Sequence, residues 1–548
     1  MIRDELEALF RLDLQTKETD ILDKVILDLD EGSFAPEVLN VYKKFVSMKQ
    51  DAPDFMKENL FSTIRNFAID CDKNSRFYEA LTLYRFLMVK SGIFIQDYPF
   101  IAEILFKLHK LEEAVHFIKL YEEREDNKFL SYITLANFYN LKLKDFKTAI
   151  KYYEKYVEID KTKPVIYTIL ASLYAKAYGD ESLEKQILYF EKANSLKTDD
   201  RLILHGLAFA YEKIGNDIQA DKFYKKLIEN NPTVIDYYNY GSFLIHCGDF
   251  IKGSEYFAYR NLIDDDNFRN SLTPDLESLK VLKSDLSDKT VLVKYEQGFG
   301  DTFMYCRFIP LLKERVKKLV FVVQEPLFEL IKKTFISEDI DIISDKTDLS
   351  DLKYDIGMML LDLPYVLGIN SEEIPYSDGY LDIEKSLVKT YEQKYLNGER
   401  KFRIGIAYAG DKNANYNSRN IDVGKFRILS GRSDVEIYSL QKEENETFDW
   451  LKPLGNTFKN FTDTACAIKN MDLVISTDNV ILNLSGALGV KTFGLFNKQT
   501  NYRWFKLDSE NTGWYESVKP FQTKIKDDWN EVFQQIINNV ASLTKNRS

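Results

Sequence analysis

Residues 290–303 read TVLVKYEQGFGDTF. A β-branched and apolar run enters a polar stretch, and glycines flank Phe299. After Asp301 and Thr302 the chain continues as MYCRFIPLLKER, with the apolar spacing of a helix. Strand, glycine turn and helix form the arrangement with which α/β proteins hold a ligand beyond the end of a strand. Phosphate in such a turn relies on backbone N–H groups and is repelled by a neighbouring carboxylate, so Asp301 does not suit a phosphate cradle. The dinucleotide fingerprint fails at the same place: its third glycine would fall at 303, which is Phe, although Glu325 follows the next strand where a ribose-binding acid would stand.

Downstream, apolar runs and helical stretches keep alternating. Strands are predicted over 290–295, 318–323, 340–344 and 354–360, and again over 402–408, 435–440, 472–477 and 491–496. Helices are predicted near 302–315, 422–430, 463–470, 479–488 and 526–543. Such alternation predicts parallel sheets covered on both faces, and the break near 390–400 predicts two of them. The expectation is two doubly wound domains, 289–395 and 396–548, with ligands held at the carboxyl ends of the strands.

Upstream, the chain repeats itself. Ala68, Ala102, Ala136, Ala171, Ala208 and Gly241 recur every 33–37 residues in similar apolar settings. A second small residue follows twelve or thirteen positions later at Ala80, Ala114, Ala149, Ala220 and Gly253. Paired helices that approach closely at small residues explain this grammar, which resembles the tetratricopeptide repeat, with Pro232 in that repeat's terminal proline position. The resemblance covers roughly residues 60–262 within an all-α solenoid of 1–262, and residues 1–58 are expected to cap the stack with an irregular helical pair. Such solenoids usually hold a peptide or protein in a concave groove. Residues 263–288 read as a connector, in which Asp264, Asp265 and Asp266 form a solvated charge run.

The chain has 548 residues, 45% hydrophobic and 29% charged, and a net charge of −12, which speaks against gripping nucleic acid or an anionic membrane as its main task. No signal-peptide pattern opens it and no apolar run reaches a membrane span, so a cytoplasmic protein is expected. Cys71, Cys247, Cys306 and Cys466 lie far apart without a CxxC pair, fitting buried reduced thiols and giving no zinc signature. All four histidines precede residue 250, so acid–base chemistry in the second half falls to other side chains, with carboxylates to the fore.

Several ordered stretches carry a second resemblance: EQGFGDTFMYCRFIPLLKER with FVVQEPLFELI, then FRIGIAYAGDKNANYNSRNIDVGKF, EIYSLQKEE, and FTDTACAIKNMDLVISTDNVILNLSGALGVKTFGLFNKQTNYRWF. Spanning nearly all of 290–535, they resemble bacterial tetratricopeptide-linked glycosyltransferases related to the lipopolysaccharide heptosyltransferases of glycosyltransferase family 9. The resemblance implies the GT-B fold, two Rossmann-like domains with the nucleotide-sugar mainly on the second and the acceptor entering from the first. It implies an inverting, metal-independent transfer in which the acid of the loop Gln297, Gly298, Gly300 and Asp301 is the base. Capping of the following helix is the competing reading of Asp301.

Donor binding is then expected at Thr477, Asp478, Asn479 and Val480, where a helix follows a strand, with Asn483 one turn on. Asp478 either meets sugar hydroxyls or caps that helix. Lys412 and Arg419 are the cations best placed for the leaving phosphates, with a solvated loop charge as the other reading of each, and Gln441 and Lys442 lie where the family binds nucleoside. Related enzymes commonly have a small residue and a histidine where this chain has Val480 and Asn483. Trp504 and Trp514 are expected to be packing anchors. The reading that joins these parts is transfer of a sugar from a nucleotide-sugar to a hydroxyl of a protein held by the repeats, such as a flagellar or surface protein. No cofactor or metal is called for, nor a nucleic-acid or membrane partner. The alternatives are a scaffold with a degenerate GT-B domain and a transferase for a lipid or glycan acceptor.

Overall fold

The computed structural model describes residues 54–90, 95–263, 272, 275–336, 339–410, 419–442, 448–507 and 510–545. Most of the expected cap over 1–58, the acidic run 264–266 and Lys412 lie outside them. Two compact units make up the chain, 1–210 and 211–548, and the division falls within the helix Arg201–Ile214.

Helical pairs follow the repeat grammar. In the first unit, Asp54–Lys73 is followed by Phe77–Lys90, Tyr98–Lys107 by Leu111–Arg124, Lys128–Asn137 by Phe146–Ile159, and Pro164–Tyr178 by Leu183–Leu196. The recurring alanines Ala68, Ala80, Ala102, Ala114, Ala136, Ala149 and Ala171 are all wholly buried, as close helix approach requires. The fourth pair has no small residue at the second position and places Leu183 there. Tyr152, Tyr153, Tyr189 and Phe190 are buried, so these rings are core rather than groove. Their hydroxyls find partners as burial demands: Tyr153 donates to Asn137 at 2.6 Å and Tyr189 to Glu154 at 2.7 Å.

The second unit holds the last pair, Val234–His246 and Phe250–Phe257, together with two sheets. The two helices meet through glycines. A Cβ on Gly241 would stand 2.4 Å from the Phe257 amide nitrogen and 2.8 Å from the Gly253 carbonyl oxygen. Alanine at 241 gains ~1 kcal/mol of helix propensity, against ~3 kcal/mol of overpacking because backbone atoms cannot rotate aside. Gly241→Ala is therefore expected to destabilise this unit by about 2 kcal/mol, read as a lowered midpoint in denaturant.

The first sheet contains β1 (Thr290–Lys294), β2 (Lys318–Val323), β3 (Asp341–Ser344) and β4 (Ile356–Met359), all parallel, in the order β3-β2-β1-β4. The second contains β5 (Phe402–Ala407), β6 (Val435–Ser439), β7 (Lys452–Pro453), β8 (Leu473–Thr477), β9 (Thr492–Phe496) and β10 (Val518–Gln522), again parallel, in the order β10-β9-β8-β5-β6-β7. Eight strands lie where the apolar runs predict them; β7 and β10 are additional. The two-residue β7 is too short to leave a pattern, and β10 carries Lys519 and Pro520, which break an apolar run.

One helix predicted over 302–315 is three pieces: Phe299–Tyr305, a 3-10 turn at Cys306–Phe308, and Ile309–Lys313. Pro310 accounts for the restart, since proline is accommodated only in a helix's first turn. The helix predicted near 422–430 is a 3-10 segment, Val423–Gly431.

Chain order fixes where each sheet can hold a ligand. From β1 the chain builds outward through β2 and β3, then returns to β4 on the other side of β1. From β5 it builds through β6 and β7, then returns to β8 on the other side of β5. At each reversal neighbouring loops diverge and leave a crevice at the carboxyl ends. At the reversal of the first sheet stands the helix carrying Asp301, and at that of the second stand Arg419, Thr477 and Asp478.

Candidate functional site

The helices that follow β1 and β8 meet. A Cβ on Gly300 would lie 3.0 Å from Nδ2 of Asn483 and 3.7 Å from Cα of Val480, so the helix Phe299–Tyr305 packs directly on the helix Val480–Ala487. Gly300 therefore serves contact between the two sheets' helices rather than an approach to phosphate. Gln297 holds the turn with φ +62°, a left-handed conformation unusual for a residue with a side chain. Gln297 Oε1 accepts from Arg503 Nη2 at 2.9 Å, and its Nε2 donates to the Tyr502 hydroxyl at 3.4 Å.

Asp301 caps its own helix, one of the two readings the sequence offers, and is also ion-paired. Its Oδ2 accepts from the Gly298 amide at 3.2 Å, which is capping. Its Oδ1 stands 2.5 Å from Nη1 of Arg503, in an ion pair whose side chains are 6% and 13% exposed. Burial pushes the Asp301 carboxyl above the usual carboxylate range; Arg503 and the Gly298 amide pull it down, while Asp478 and Glu296 push it up again. Burial opposes the charge on Arg503, but Asp301, Tyr502 and Asp478 outweigh it and raise its pKa. The Tyr502 hydroxyl, desolvated beside this cluster, is pushed up to about 12.

On the second sheet, Arg419 lies 3.5 Å from the Asp478 carboxylate and also donates to the Asp478 carbonyl at 3.4 Å. Asn479, not Asp478, caps the helix Val480–Ala487, taking the amides of Ile481 and Leu482 on its side-chain oxygen at 2.8 and 3.4 Å. Its Nδ2 donates to Thr477 Oγ1 and to the Ala409 carbonyl, tying the ends of β8 and β5 together. Asn483 is buried, donating to the Asn479 carbonyl at 3.3 Å and accepting from the Tyr515 hydroxyl at 3.2 Å. Val480 is half-buried at the start of that helix.

Gln441 accepts from the Ala409 amide at 3.3 Å, which brings the end of β6 to the same crevice, whereas Lys442 is exposed. Trp504 and Trp514 are wholly buried: Trp514 stacks on Phe505 at 5.3 Å and donates to the Arg503 carbonyl at 2.7 Å, which fixes the backbone that carries Arg503. The four cysteines are free thiols, and burial pushes Cys71 and Cys466 up to about 11 and Cys247 and Cys306 up to about 12, which favours packing over nucleophilic roles. Among the described residues no cluster of three His, Cys, Asp or Glu side chains is placed to hold a metal, and no helix is long and apolar enough to cross a membrane.

Sequence reasoning overlooked Arg503 and Glu296. Arg503 lies in the irregular stretch after β9, in NYRWF, where the only signal is a cation between aromatic residues following a strand. Glu296 lies two residues beyond β1 and is buried against Arg260 of the 3-10 segment Ala258–Leu262 that follows the last helical pair, with Nε to Oε1 at 2.9 Å and Nη2 to Oε2 at 2.5 Å. Arg260 Nη1 also meets Asp362 at 2.8 Å, and Asn261 donates to both Asp362 oxygens at 3.0 Å. The loop bearing Gln297 and Asp301 thus starts from a buried charge triad.

Comparison with known proteins bears on both halves. The tetratricopeptide repeat family model matches residues 130–163 and 203–234. The helical region carries tetratricopeptide repeats. Protein FlbA of Caulobacter vibrioides is 23% identical over 280 residues, 45% of this chain and 45% of that protein, so the chain spans about half the length of the curated relative it matches. Among solved structures, the glycosyl transferase family 9 protein from Veillonella parvula aligns over 48% of this chain and 99% of its own, with 13% identity and a TM-score of 0.35. The ADP-heptose lipopolysaccharide heptosyltransferase II of E. coli aligns over 47% and 99%, with 10% identity and a TM-score of 0.36.

Proposed function

We propose that this chain is an inverting glycosyltransferase of GT-B type that moves a sugar from a nucleotide-linked donor to a hydroxyl of a protein recruited by the repeats. The observation that carries the reading is the packing of the helix after β1, which bears the buried carboxylate Asp301, on the helix after β8, which starts beside Arg419, Asp478 and Gln441. The ordered sequence stretches that resemble the heptosyltransferases supply the assignment of roles.

In the transfer, the acceptor oxygen attacks the anomeric carbon as the bond from that carbon to the donor's phosphate oxygen breaks. The electron pair leaves on phosphate, and the hydroxyl proton passes to Asp301 Oδ1. Arg419 and Arg503 are the cations that meet the negative charge developing on the leaving group, with no metal required. Thr477, Asn479 and the backbone around Val480 line the donor side, and Gln441 stands where a nucleoside would rest. Lys442 would contribute charge at the rim.

A second reading, a non-catalytic repeat scaffold, draws on the commitment of both Asp301 oxygens, one to Gly298 and one to Arg503. A thermal-shift panel of nucleotides and nucleotide-sugars on the full chain decides between them. At least one nucleotide is expected to raise the melting temperature of the second unit by several degrees, as ligand at about 100 times Kd adds ~2.7 kcal/mol. No shift across the whole panel would favour the scaffold.

A further inference from the structure

Arg503 is ion-paired with Asp301 and lies in the field of a second acid, Asp478. Its Nη1 meets Asp301, while Nη2 donates to the neutral Gln297. Its Nε is buried without a hydrogen-bond partner. The Asp478 carboxylate contributes to holding its charge, and Asp478 is paired with a second arginine, Arg419. No helix or strand carries Arg503: it sits in the stretch between β9 and β10. Two arginines facing two aspartates leave no excess positive charge for a phosphate unless one pair opens.

We propose that Arg503 is an exchangeable counter-ion, which neutralises Asp301 when the site is empty and passes to the phosphate of a nucleotide-linked donor when one binds, freeing Asp301 to accept the acceptor's proton. This rests on the reading of the site as a glycosyltransferase. It gives Arg503 a positioning role for the base and makes the order of events chemical. A carboxylate clamped by a guanidinium is a weak base, so Asp301 becomes competent only once the donor's anionic group has drawn Arg503 away. Binding and release are then linked: whatever weakens the Arg503–Asp301 pair must strengthen the binding of phosphate by the same factor.

The experiment is a double-mutant cycle on the full chain, with UDP, GDP, ADP, CDP and CMP as probes and Kd from titration calorimetry. Asp301→Asn is expected to tighten the nucleotide that binds by about tenfold. The same substitution in an Arg503→Met background is expected to change Kd by less than about twofold, because no exchangeable cation remains. Equal tightening in both backgrounds would mean simple relief of repulsion by Asp301 and would overturn the proposal, as would unchanged or weakened binding in Asp301→Asn. Absence of binding by every form overturns the glycosyltransferase reading and this proposal with it. Should a variant fail to fold, a crystal structure of the unsubstituted protein with the bound nucleotide decides. Arg503 on phosphate and more than about 4 Å from Asp301 supports the exchange; Arg503 still on Asp301 and off the phosphate refutes it.

Discussion

Asp301→Asn is expected to lower sugar transfer about 10³-fold, the usual contribution of a positioned general base, while leaving nucleotide bound. Asparagine keeps the shape of the side chain but cannot take a proton from the acceptor, and the second half of the chain has no histidine to stand in. Oδ2 is held by the Gly298 amide, so Oδ1 is the oxygen that would accept the proton. The check is a rate measurement with the donor that the nucleotide panel identifies, reading mass shifts on the acceptor. Transfer undiminished in the variant would remove Asp301 from the chemistry. Retained acceptor binding with lost transfer would separate an enzyme from a scaffold.

Arg260→Met is expected to destabilise the second unit by ~3–5 kcal/mol, the cost of removing one partner from a buried ion pair. Methionine fills the space of the arginine stem but leaves Glu296 and Asp362 facing each other without a counter-charge, both essentially excluded from water. Burial already pushes the Asp362 carboxyl above its usual value, against the pull of Arg260. Its folded-state pKa is raised, so the folded chain holds that proton more tightly than the unfolded one. The associated stability is fullest below the unfolded value near 3.9 and is lost as pH rises through the folded value. Without Arg260 the two carboxylates repel and this loss deepens, so the variant's deficit relative to the unsubstituted protein should grow from pH 5 to pH 8. Denaturant midpoints for the second-unit transition at the two pH values test it. A deficit that shrinks with rising pH would show that the acids are not coupled through Arg260.

The buried triad also ties the end of the helical repeats to the first sheet. Arg260 directly follows the last helical pair, and Phe257 at the end of that pair contacts Tyr502 at 5.1 Å, next to Arg503. His246 meets the Trp504 carbonyl at 3.0 Å and Ser371 donates to the Gly248 carbonyl at 2.6 Å. A truncation meant to spare the site should therefore end before this pair.

Period and alternation were legible in the sequence because each records a local rule. Small residues every 33–37 positions mark where helices touch, and apolar runs flanked by turns mark strands buried on both faces. Those patterns placed Asp301 in the turn-to-helix stretch after β1 and Asp478 directly after β8. They could not assign the cap of the helix Val480–Ala487 to Asn479, because Asp478 and Asn479 are equally good capping types and only backbone direction separates them. Nor could they show that Gly300 is small in order to let Asn483 and Val480 approach, since that contact joins residues some 180 positions apart.

The sequence by itself determined the helical repeats, the eight principal strands and the loops on which candidate side chains sit, because helix and strand periodicity follow from neighbours a few residues away. Tertiary structure alone decided that Asp301 is both a cap and the partner of Arg503, and that Glu296 is neutralised by Arg260. Charges buried in low dielectric must find counter-charges in space, and the residues that supply them come from whichever segments the packing of the sheets and the last helical pair brings alongside.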